Sequence, residues 1–365
     1  MKVLTVIGAR PQFVKAAVVS EQIQADSNST EVLVHTGQHY DDDMSEVFFR
    51  ELGIGKPAYH LGVGSGSHAV QTAAMLTRLE PVILDEVPDV VLVYGDTNST
   101  LAGALTAAKL HVPVAHVEAG LRSFNRFMPE ELNRVLTDQL ADLLFAPTVV
   151  AAEHLSREGA DPGRVHVVGD VMFDASLRFA KVADEKSSVV EDLGLTERGY
   201  VLVTIHRAEN TDEPVRLNAI CEALKDIAKQ IDVVIPLHPR TRIALARNGC
   251  LDALEACVRL LAPQGYLDMI ALERSSALVM TDSGGVQKEA FFFRRPCVTV
   301  RTETEWTELV DAGWNRLADP TDAHCIATTV IAAIGTTGAE IEPYGNGDAS
   351  ERIVRILRRC YDDGA

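Results

Sequence analysis

Residues Asp89 to Arg122 read DVVLVYGDTNSTLAGALTAAKLHVPVAHVEAGLR. The segment contains two apolar runs, at 89–94 and 112–117. Their β-branched residues are typical of strands buried on both faces. Between the runs, a turn of small polar residues leads into an Ala-rich segment that favours a helix. The pattern therefore predicts a strand–helix–strand unit of an α/β sheet.

Two acidic residues, Asp96 and Glu118, follow the carboxyl ends of the two predicted strands. Open α/β sheets bind their ligands at this edge. A single acid at such a position is explained equally well by a structural role, as a helix cap or a surface residue. Two acids at equivalent ends of neighbouring strands favour a functional site.

The alternation of strands and helices continues on both sides of this segment and restarts near residue 200. At 365 residues the chain is long enough for two domains. The polar segment 184–198 lacks an apolar strand, and we expect the linker there or just before it. The sequence predicts two doubly wound α/β domains with a cleft between them, at 1–170 and 171–348.

The composition excludes several classes of partner. The net charge of −18 disfavours nucleic acid and anionic membrane surfaces. No apolar run approaches the roughly 18 residues of a membrane span, and Met1-Lys2 leads directly into a predicted strand, so we expect a cytoplasmic protein. The six cysteines form no CxxC pair and no HExxH motif occurs, so neither disulfides nor a metal site are expected.

A candidate phosphate site lies at 281–289, TDSGGVQKE, where a predicted strand ends in small residues that open a helix. The backbone N–H groups of Ser283, Gly284 and Gly285 suit an anion at the helix amino end. Glu289, one turn further, suits a ribose diol. The alternatives are an ordinary glycine turn and a solvated glutamate.

Basic and imidazole side chains also follow predicted strands. Arg10 and Lys15 come after the first strand, where the helix dipole disfavours cations unless an anionic ligand compensates them. His206-Arg207 and His238 follow strands of the second domain. A single histidine is usually structural, but two at equivalent strand ends indicate ligand contact or proton transfer. No strand leads into GxGxxG, so a nicotinamide cofactor is not expected.

Seven motifs, in order along nearly the whole chain, resemble the non-hydrolysing UDP-N-acetylglucosamine 2-epimerases. They are GARPQFVK (8–15), GDTNST (95–100), HVEAGLR (116–122), PEELNR (129–134), HRAEN (206–210), LHP (237–239) and TDSGGVQKEA (281–290). The match looks closest to the branch that includes the UDP-2,3-diacetamido-2,3-dideoxyglucuronate 2-epimerases. The resemblance implies GT-B architecture with two Rossmann-like domains, a C-terminal helix (349–365) that joins the first domain, and a homodimer.

The resemblance implies conversion of UDP-GlcNAc to UDP-ManNAc for surface polysaccharide precursors. In this family UDP leaves carbon 1 in an anti-elimination that gives a 2-acetamidoglucal, and then adds back, so no cofactor is required. The same chemistry on UDP-2,3-diacetamido-2,3-dideoxyglucuronate is one alternative. A GT-B glycosyltransferase is an alternative of another class, and a hydrolysing epimerase that releases UDP is a third.

Site residues are carried over from the family by motif position. The catalytic set is Asp96, Glu118, Glu130 and His206. Either Glu130 or its neighbour Glu131 would stabilise the cationic transition state. The expected substrate-binding residues are Arg10, Lys15, Arg207, His238, Pro263, Tyr266, Ser283, Gly284, Gly285 and Glu289, with Pro263 and Tyr266 near the uracil.

Two segments depart from the family pattern. Residues 38–44 lack the pattern with which bacterial members bind a second, activating UDP-GlcNAc, so allosteric activation is not implied. Residues 304–308 read TEWTE where better-known members have Arg-Pro after the first Glu. A glucuronate substrate would need an additional cation, for which Arg207 and Arg301 are candidates.

Overall fold

The computed structural model describes residues 1–38 and 52–362, and the side chain of Arg10 lies outside this description. Most of the segment 38–44, which departs from the bacterial activator pattern, also lies outside it. The chain divides into two compact units, one formed by 1–178 and 342–365 and the other by 179–341. Elements are numbered here along the described part of the chain.

Unit 1 contains a seven-stranded sheet in the order β3-β2-β1-β4-β5-β6-β7, and all of its described strand pairs are parallel. The strands are β1 (Lys2–Ile7), β2 (Thr30–His35), β3 (Tyr59–His60), β4 (Val90–Tyr94), β5 (Val114–Val117), β6 (Leu143–Ala146) and β7 (Val165–Val167). The helices are α1 (Arg10–Ala25), α2 (His68–Glu86), α3 (Asn98–Lys109), α4 (Pro129–Leu140), α5 (Val149–Arg157), the first half of α6 (Val171–Lys186) and α16 (Ala349–Tyr361).

The core of unit 1 lies between these strands and their flanking helices. Val91 and Val93 of β4 are fully buried and share one cluster with Leu4 of β1 and with Met75 and Leu79 of α2. Strands buried on both faces explain why the sequence shows continuous apolar runs. The predicted unit β4–α3–β5 is present, with both strands parallel in adjacent positions.

Unit 2 contains a six-stranded sheet in the order β10-β9-β8-β11-β12-β13, again with all described pairs parallel. Its strands are β8 (Tyr200–Thr204), β9 (Asp232–Pro236), β10 (Arg259–Leu261), β11 (Leu278–Thr281), β12 (Cys297–Thr299) and β13 (Asn315–Leu317). Its helices are the rest of α6, α7 (Val189–Asp192), α8 (Ala208–Thr211), α9 (Pro214–Ala228), α10 (Pro239–Arg247), α11 (Leu251–Glu255), α12 (Tyr266–Ser275), α13 (Gly284–Phe292), α14 (Thr307–Asp311) and α15 (Ala323–Ala333).

The division between the units falls at Arg178, inside α6, whereas the sequence placed the domain boundary at 170 and the linker near 184–198. The start of α6 belongs to unit 1 because it holds the amino end of α16. The Asp174 carboxylate accepts hydrogen bonds from the amides of Ala349 (3.2 Å) and Ser350 (2.7 Å). The segment 184–198, for which the sequence predicts a linker and no apolar strand, contains the end of α6 and the short helix α7.

The fold class predicted from the sequence is confirmed, since each unit is a parallel α/β sheet with the strand order of a Rossmann-like fold. Within the described residues, none of the helices combines the length and apolar character that a membrane crossing requires.

Candidate active site

The two acids predicted at the edge of the unit 1 sheet, Asp96 and Glu118, both lie next to Gly95. Glu118 is buried, and its carboxylate contacts the ammonium group of Lys15. A Cβ atom placed on Gly95 would lie 3.3 Å from Glu118 Oε2 and 3.6 Å from Lys15 Nζ. The residue that follows Gly95 is Asp96. The turn after β4 therefore carries one acid and packs directly against the second.

The backbone around Glu118 supports a functional role. Its φ is +70°, in the left-handed region that costs a residue with a side chain free energy. Such conformations persist where the surroundings impose them, and they concentrate at functional sites. Gly95 also has a positive φ, +65°, and packs without a Cβ beside this carboxylate.

Arg134 of α4 holds the carboxylate of Asp96. Its Nε and Nη2 atoms donate to Asp96 Oδ2 at 2.9 and 2.6 Å. Its Nη1 donates to Glu131 Oε2 at 3.1 Å. The Asp96 side chain remains 30% exposed, so the carboxylate is both oriented and accessible. Arg134 lies in the PEELNR motif, but its position in the sequence does not predict this role.

Adjacent glutamates in the first turn of α4 have different environments. Glu131 is buried and accepts hydrogen bonds from the amides of Ser123 (2.9 Å) and Phe124 (3.0 Å). Burial by itself raises the pKa of Glu131, but the hydrogen bonds from Ser123, Arg134 and Phe124 outweigh burial and hold this pKa below its ordinary value. Glu130 is exposed. Glu131 thus organises the loop, and the catalytic role of Glu130 stays a prediction.

A buried glutamine, Gln12, joins the first turn of α1 to the end of β4. Its Oε1 accepts from the amide of Gly8 at 2.8 Å, and its Nε2 donates to the carbonyl of Tyr94 at 2.8 Å. This cross-link brings the amino end of α1, where Arg10 and Lys15 lie, to the Asp96 turn. Gln12 lies in the GARPQFVK motif, but its position in the sequence does not predict this role.

In unit 2, the predicted phosphate motif forms the turn between β11 and α13. The amide of Ser283 donates to Thr281 Oγ1 at 2.9 Å, so one of the three predicted phosphate donors has a partner in the motif itself. Gly284 and Gly285 form the first turn of α13, where no carbonyl of the same helix can accept from their amides. A Cβ on Gly285 would meet no atom within 4 Å, which leaves space for a ligand.

Asp282, fully buried at the end of β11, positions the loop after β8. Its carboxylate accepts from the amides of His206 (3.1 Å) and Arg207 (3.0 Å) and from Asn210 Nδ2 (3.1 Å). His206 Nδ1 lies 3.3 Å from Asp282 Oδ1, while the imidazole is 51% exposed. His206 is thereby held beside the 283–285 turn with its ring accessible.

The remaining predicted nucleotide contacts follow neighbouring strands of the same sheet. Tyr266, the first residue of α12, donates through its hydroxyl to Glu289 Oε1 at 3.2 Å, so these two predicted residues meet. Pro263 follows β10 and His238 follows β9, and both are exposed. His238 Nδ1 accepts from the amide of Arg240 at 3.2 Å.

The segment that departs from the family pattern packs against the phosphate turn. Trp306 Nε1 donates to the carbonyl of Gly284 at 2.9 Å, and the Lys288 ammonium lies 4.3 Å from the centre of the Trp306 ring. Arg301 and Glu305 form a paired salt bridge at 3.1 and 3.2 Å. Burial raises the pKa of Glu305, but the hydrogen bond and charge of Arg301 outweigh it and lower this pKa. Arg301 is therefore already neutralised.

The chain is similar to known proteins along almost its whole length. A family model described as UDP-N-acetylglucosamine 2-epimerase matches residues 21–358. The chain is 52% identical to the UDP-2,3-diacetamido-2,3-dideoxy-D-glucuronate 2-epimerase of Pseudomonas aeruginosa, over 98% of this chain and 100% of that protein. It is 42% identical to the UDP-N-acetylglucosamine 2-epimerase of Methanocaldococcus jannaschii, over 98% of this chain and 99% of that protein.

A solved structure extends the likeness to three dimensions. The crystal structure of the M. jannaschii UDP-GlcNAc 2-epimerase, in complex with UDP-GlcNAc and UDP, matches with a TM-score of 0.90 and 41% identity, covering 98% of this chain and 100% of that one. The sequence-based predictions of family, of GT-B-type fold and of enzyme class, a UDP-sugar 2-epimerase and hence an isomerase, are thereby confirmed. This chain belongs to the UDP-N-acetylglucosamine 2-epimerase family.

Proposed function

We propose that this protein inverts carbon 2 of a UDP-2-acetamido sugar, with Asp96 and Glu118 as the acid–base pair. The observation that carries the proposal is the packing of the Glu118 carboxylate and the Lys15 ammonium against Gly95, the residue that precedes Asp96. Two carboxyl groups that both contact the substrate can act in turn, one removing a proton and the other returning one. Glu130 completes the proposed acid set, facing the cationic character that develops at carbon 1.

The proposed reaction has two steps. In the first, a carboxylate removes the proton at carbon 2 while the bond between carbon 1 and the UDP oxygen breaks. The electron pair of the C–H bond forms the double bond of the 2-acetamidoglucal, and UDP takes the electron pair of the C–O bond. In the second, UDP oxygen bonds carbon 1 again, and the other acid protonates carbon 2 from the opposite face.

Departure of UDP builds negative charge on the diphosphate, and unit 2 offers groups suited to stabilise it. The amides of Gly284 and Gly285 lie at the positive end of α13. His206, oriented by Asp282, has an accessible ring that can donate to a phosphate oxygen. We also propose Arg10 and Lys15, at the amino end of α1, as substrate-binding residues. Glu289 with Tyr266 suits the ribose, and His238 and Pro263 suit the rest of the nucleotide.

The resemblance seen in the sequence implies UDP-GlcNAc as the first candidate substrate and the diacetamido-glucuronate sugar as the second. We now favour the second, since the P. aeruginosa relative named for it is 52% identical over 98% of this chain. The local charges support this choice. Arg301 is paired with Glu305, so Arg207, which is half-buried and follows β8, is the better candidate for the substrate carboxylate.

One experiment separates the reaction classes. Each UDP-sugar is incubated with the protein in D₂O, and the sugar is analysed by NMR and mass spectrometry. The proposal expects deuterium at carbon 2 in both epimers, a larger kcat/KM for the glucuronate sugar, and no net release of UDP. Transfer to an acceptor without deuterium would establish a glycosyltransferase. Free UDP formed in step with free sugar would establish a hydrolysing enzyme.

We further propose a homodimer. Phe127 is 99% exposed, and Leu132 and Leu136, four residues apart on one face of α4, are 44% and 49% exposed. An apolar cluster of this kind favours a protein interface. Sedimentation analysis of the wild type against Leu136→Asp tests this, since a dimer that persists unchanged would rule out this face. The resemblance alone supports a cytoplasmic role in polysaccharide precursor synthesis.

A further inference from the structure

A fully buried histidine of β5, His116, lies directly beneath the Asp96 turn. Its Nδ1 atom is 2.7 Å from Asp138 Oδ1, and its Nε2 atom is 2.7 Å from the carbonyl oxygen of Gly95. Gly95 is the residue before Asp96, and its own amide donates to the carbonyl of Val117 at 2.9 Å. The imidazole thus bridges α4 and the turn that carries the first catalytic acid.

Both ring nitrogens of His116 face acceptors. A backbone carbonyl can only accept, and a carboxylate accepts when ionised. Burial raises the pKa of Asp138, but the charges and hydrogen bonds of His116 and Arg122 outweigh burial and keep it below its ordinary value. The carbonyl oxygen of Gly95 has no proton to donate, so the Nε2 atom of His116 must carry the proton of this hydrogen bond.

Further contacts fix the Asp138 carboxylate. Asp138 Oδ2 lies 2.7 Å from Arg122 Nη2 and also accepts from the amide of Gly120 at 3.1 Å. Arg122 in turn forms two hydrogen bonds with Glu158, at 2.8 and 2.6 Å. On the Gly95 side, the nearest ion pairs are Lys15–Glu118 and Arg134–Asp96.

We propose that His116 is a positioning residue whose Nε2–H bond to the Gly95 carbonyl orients Asp96 for proton transfer at carbon 2. The proposal rests on the function proposed above. If Nε2 lost its proton, its lone pair would face the carbonyl oxygen of Gly95, and the turn would have to move. A displacement of about 1 Å at a catalytic group can cost roughly a hundredfold in rate.

The protonation state is tested without any activity measurement. The full-length protein is labelled with ¹⁵N-histidine, and the two ring nitrogens of His116 are assigned by their loss in His116→Gln. We expect the Nε2 atom of His116 to show the chemical shift of a protonated ring nitrogen at pH 7. An unprotonated Nε2 would overturn the inference, whether or not the protein is an epimerase.

A matched pair of variants tests the positioning role. In His116→Asn the side-chain amide reaches the Nδ1 position and keeps the bond to Asp138, whereas in His116→Gln it reaches the Nε2 position and keeps the bond to Gly95. Both variants replace the imidazole by the same amide group. For the reaction of the wild type, we expect Asn to lower kcat at least tenfold more than Gln, with similar KM values.

A residue that only stabilised the fold would give another result. Both variants would then lose activity in proportion to their loss of folded protein, measured by Tm and by circular dichroism. Equal kcat values per folded molecule, or a higher value for Asn than for Gln, would overturn the positioning role. If the wild type fails to exchange the carbon-2 proton, the proposed function fails instead, while the NMR result still stands.

Discussion

Arg134 binds Asp96 and Glu131 at the same time, with two N–H groups on Asp96 Oδ2 and a third on Glu131 Oε2. One guanidinium therefore joins the exposed acid of the β4 turn to the buried acid that holds the 123–124 loop. A planar fork suits this task better than an ammonium group. Because Arg134 joins an exposed acid to a buried one, substitutions of these residues can distinguish effects on turnover from effects on stability.

Loss of either carboxylate of the proposed acid–base pair removes one proton transfer. We expect Asp96→Asn and Glu118→Gln each to lower turnover by at least about a hundredfold, the low end for a lost acid or base. UDP binding, measured by calorimetry, should persist. Glu153→Gln, an exposed substitution in the same unit, is the control. Near-normal rates in both variants would contradict the assignment.

Arg134→Met leaves a buried carboxylate without its cation. We expect it to lower the free energy of unfolding by about 2–3 kcal/mol, less than a fully buried pair would lose because Asp96 is 30% exposed. Turnover should fall as well, since Asp96 loses its orientation. Arg134→Lys keeps the charge but not the fork, and should recover stability more than turnover. Urea unfolding and initial rates measure the two effects.

The neighbouring glutamates of α4 provide a matched pair. Glu130→Gln should lower kcat with little change in Tm, because the side chain is exposed. Glu131→Gln should lower Tm, because it weakens the hydrogen bonds to Ser123 and Phe124. The opposite pattern, with Glu131→Gln stable and inactive, would transfer the catalytic role to Glu131.

Acid should destabilise the protein partly through Glu131. Its pKa is lower in the folded chain than its ordinary value of 4.5, so the folded state binds fewer protons. The stabilisation is complete above 4.5 and is lost as the pH falls through the lower folded value. Glu131→Gln should therefore lose less stability than the wild type between pH 5 and pH 3, measured by thermal unfolding. If the wild type and Glu131→Gln lost the same stability between pH 5 and pH 3, the ionisation of Glu131 would not contribute to the acid sensitivity.

Substrate preference should depend on Arg207. If its guanidinium binds the carboxylate of the glucuronate sugar, Arg207→Met should lower kcat/KM for that sugar by about tenfold to a hundredfold, the 1.5–3 kcal/mol of a charged hydrogen bond. The value for UDP-GlcNAc should change much less. Arg240→Met, at an exposed salt bridge with Asp212, is the control. Equal losses on both sugars would place Arg207 on the diphosphate instead.

The sequence predicted the strands that carry the site because buried parallel strands are apolar throughout and end at polar turns. It does not predict β3 or β13, because the residues of these short edge strands form no apolar run. The predicted boundary at residue 170 lies before the division at Arg178, because α6 (Val171–Lys186) continues past Arg178 without a break.

Local sequence by itself determined the α/β class and the positions of Asp96 and Glu118, because each position follows from where a strand ends. Tertiary structure alone decided which partners orient them. Arg134 reaches Asp96 across 38 positions of the chain, and Asp138 reaches His116 across 22. Glu130 and Glu131 are identical in type and adjacent in sequence, but the packing of the 123–124 loop buries only one. Such pairings depend on which helix face meets the sheet, and no short-range pattern encodes that contact.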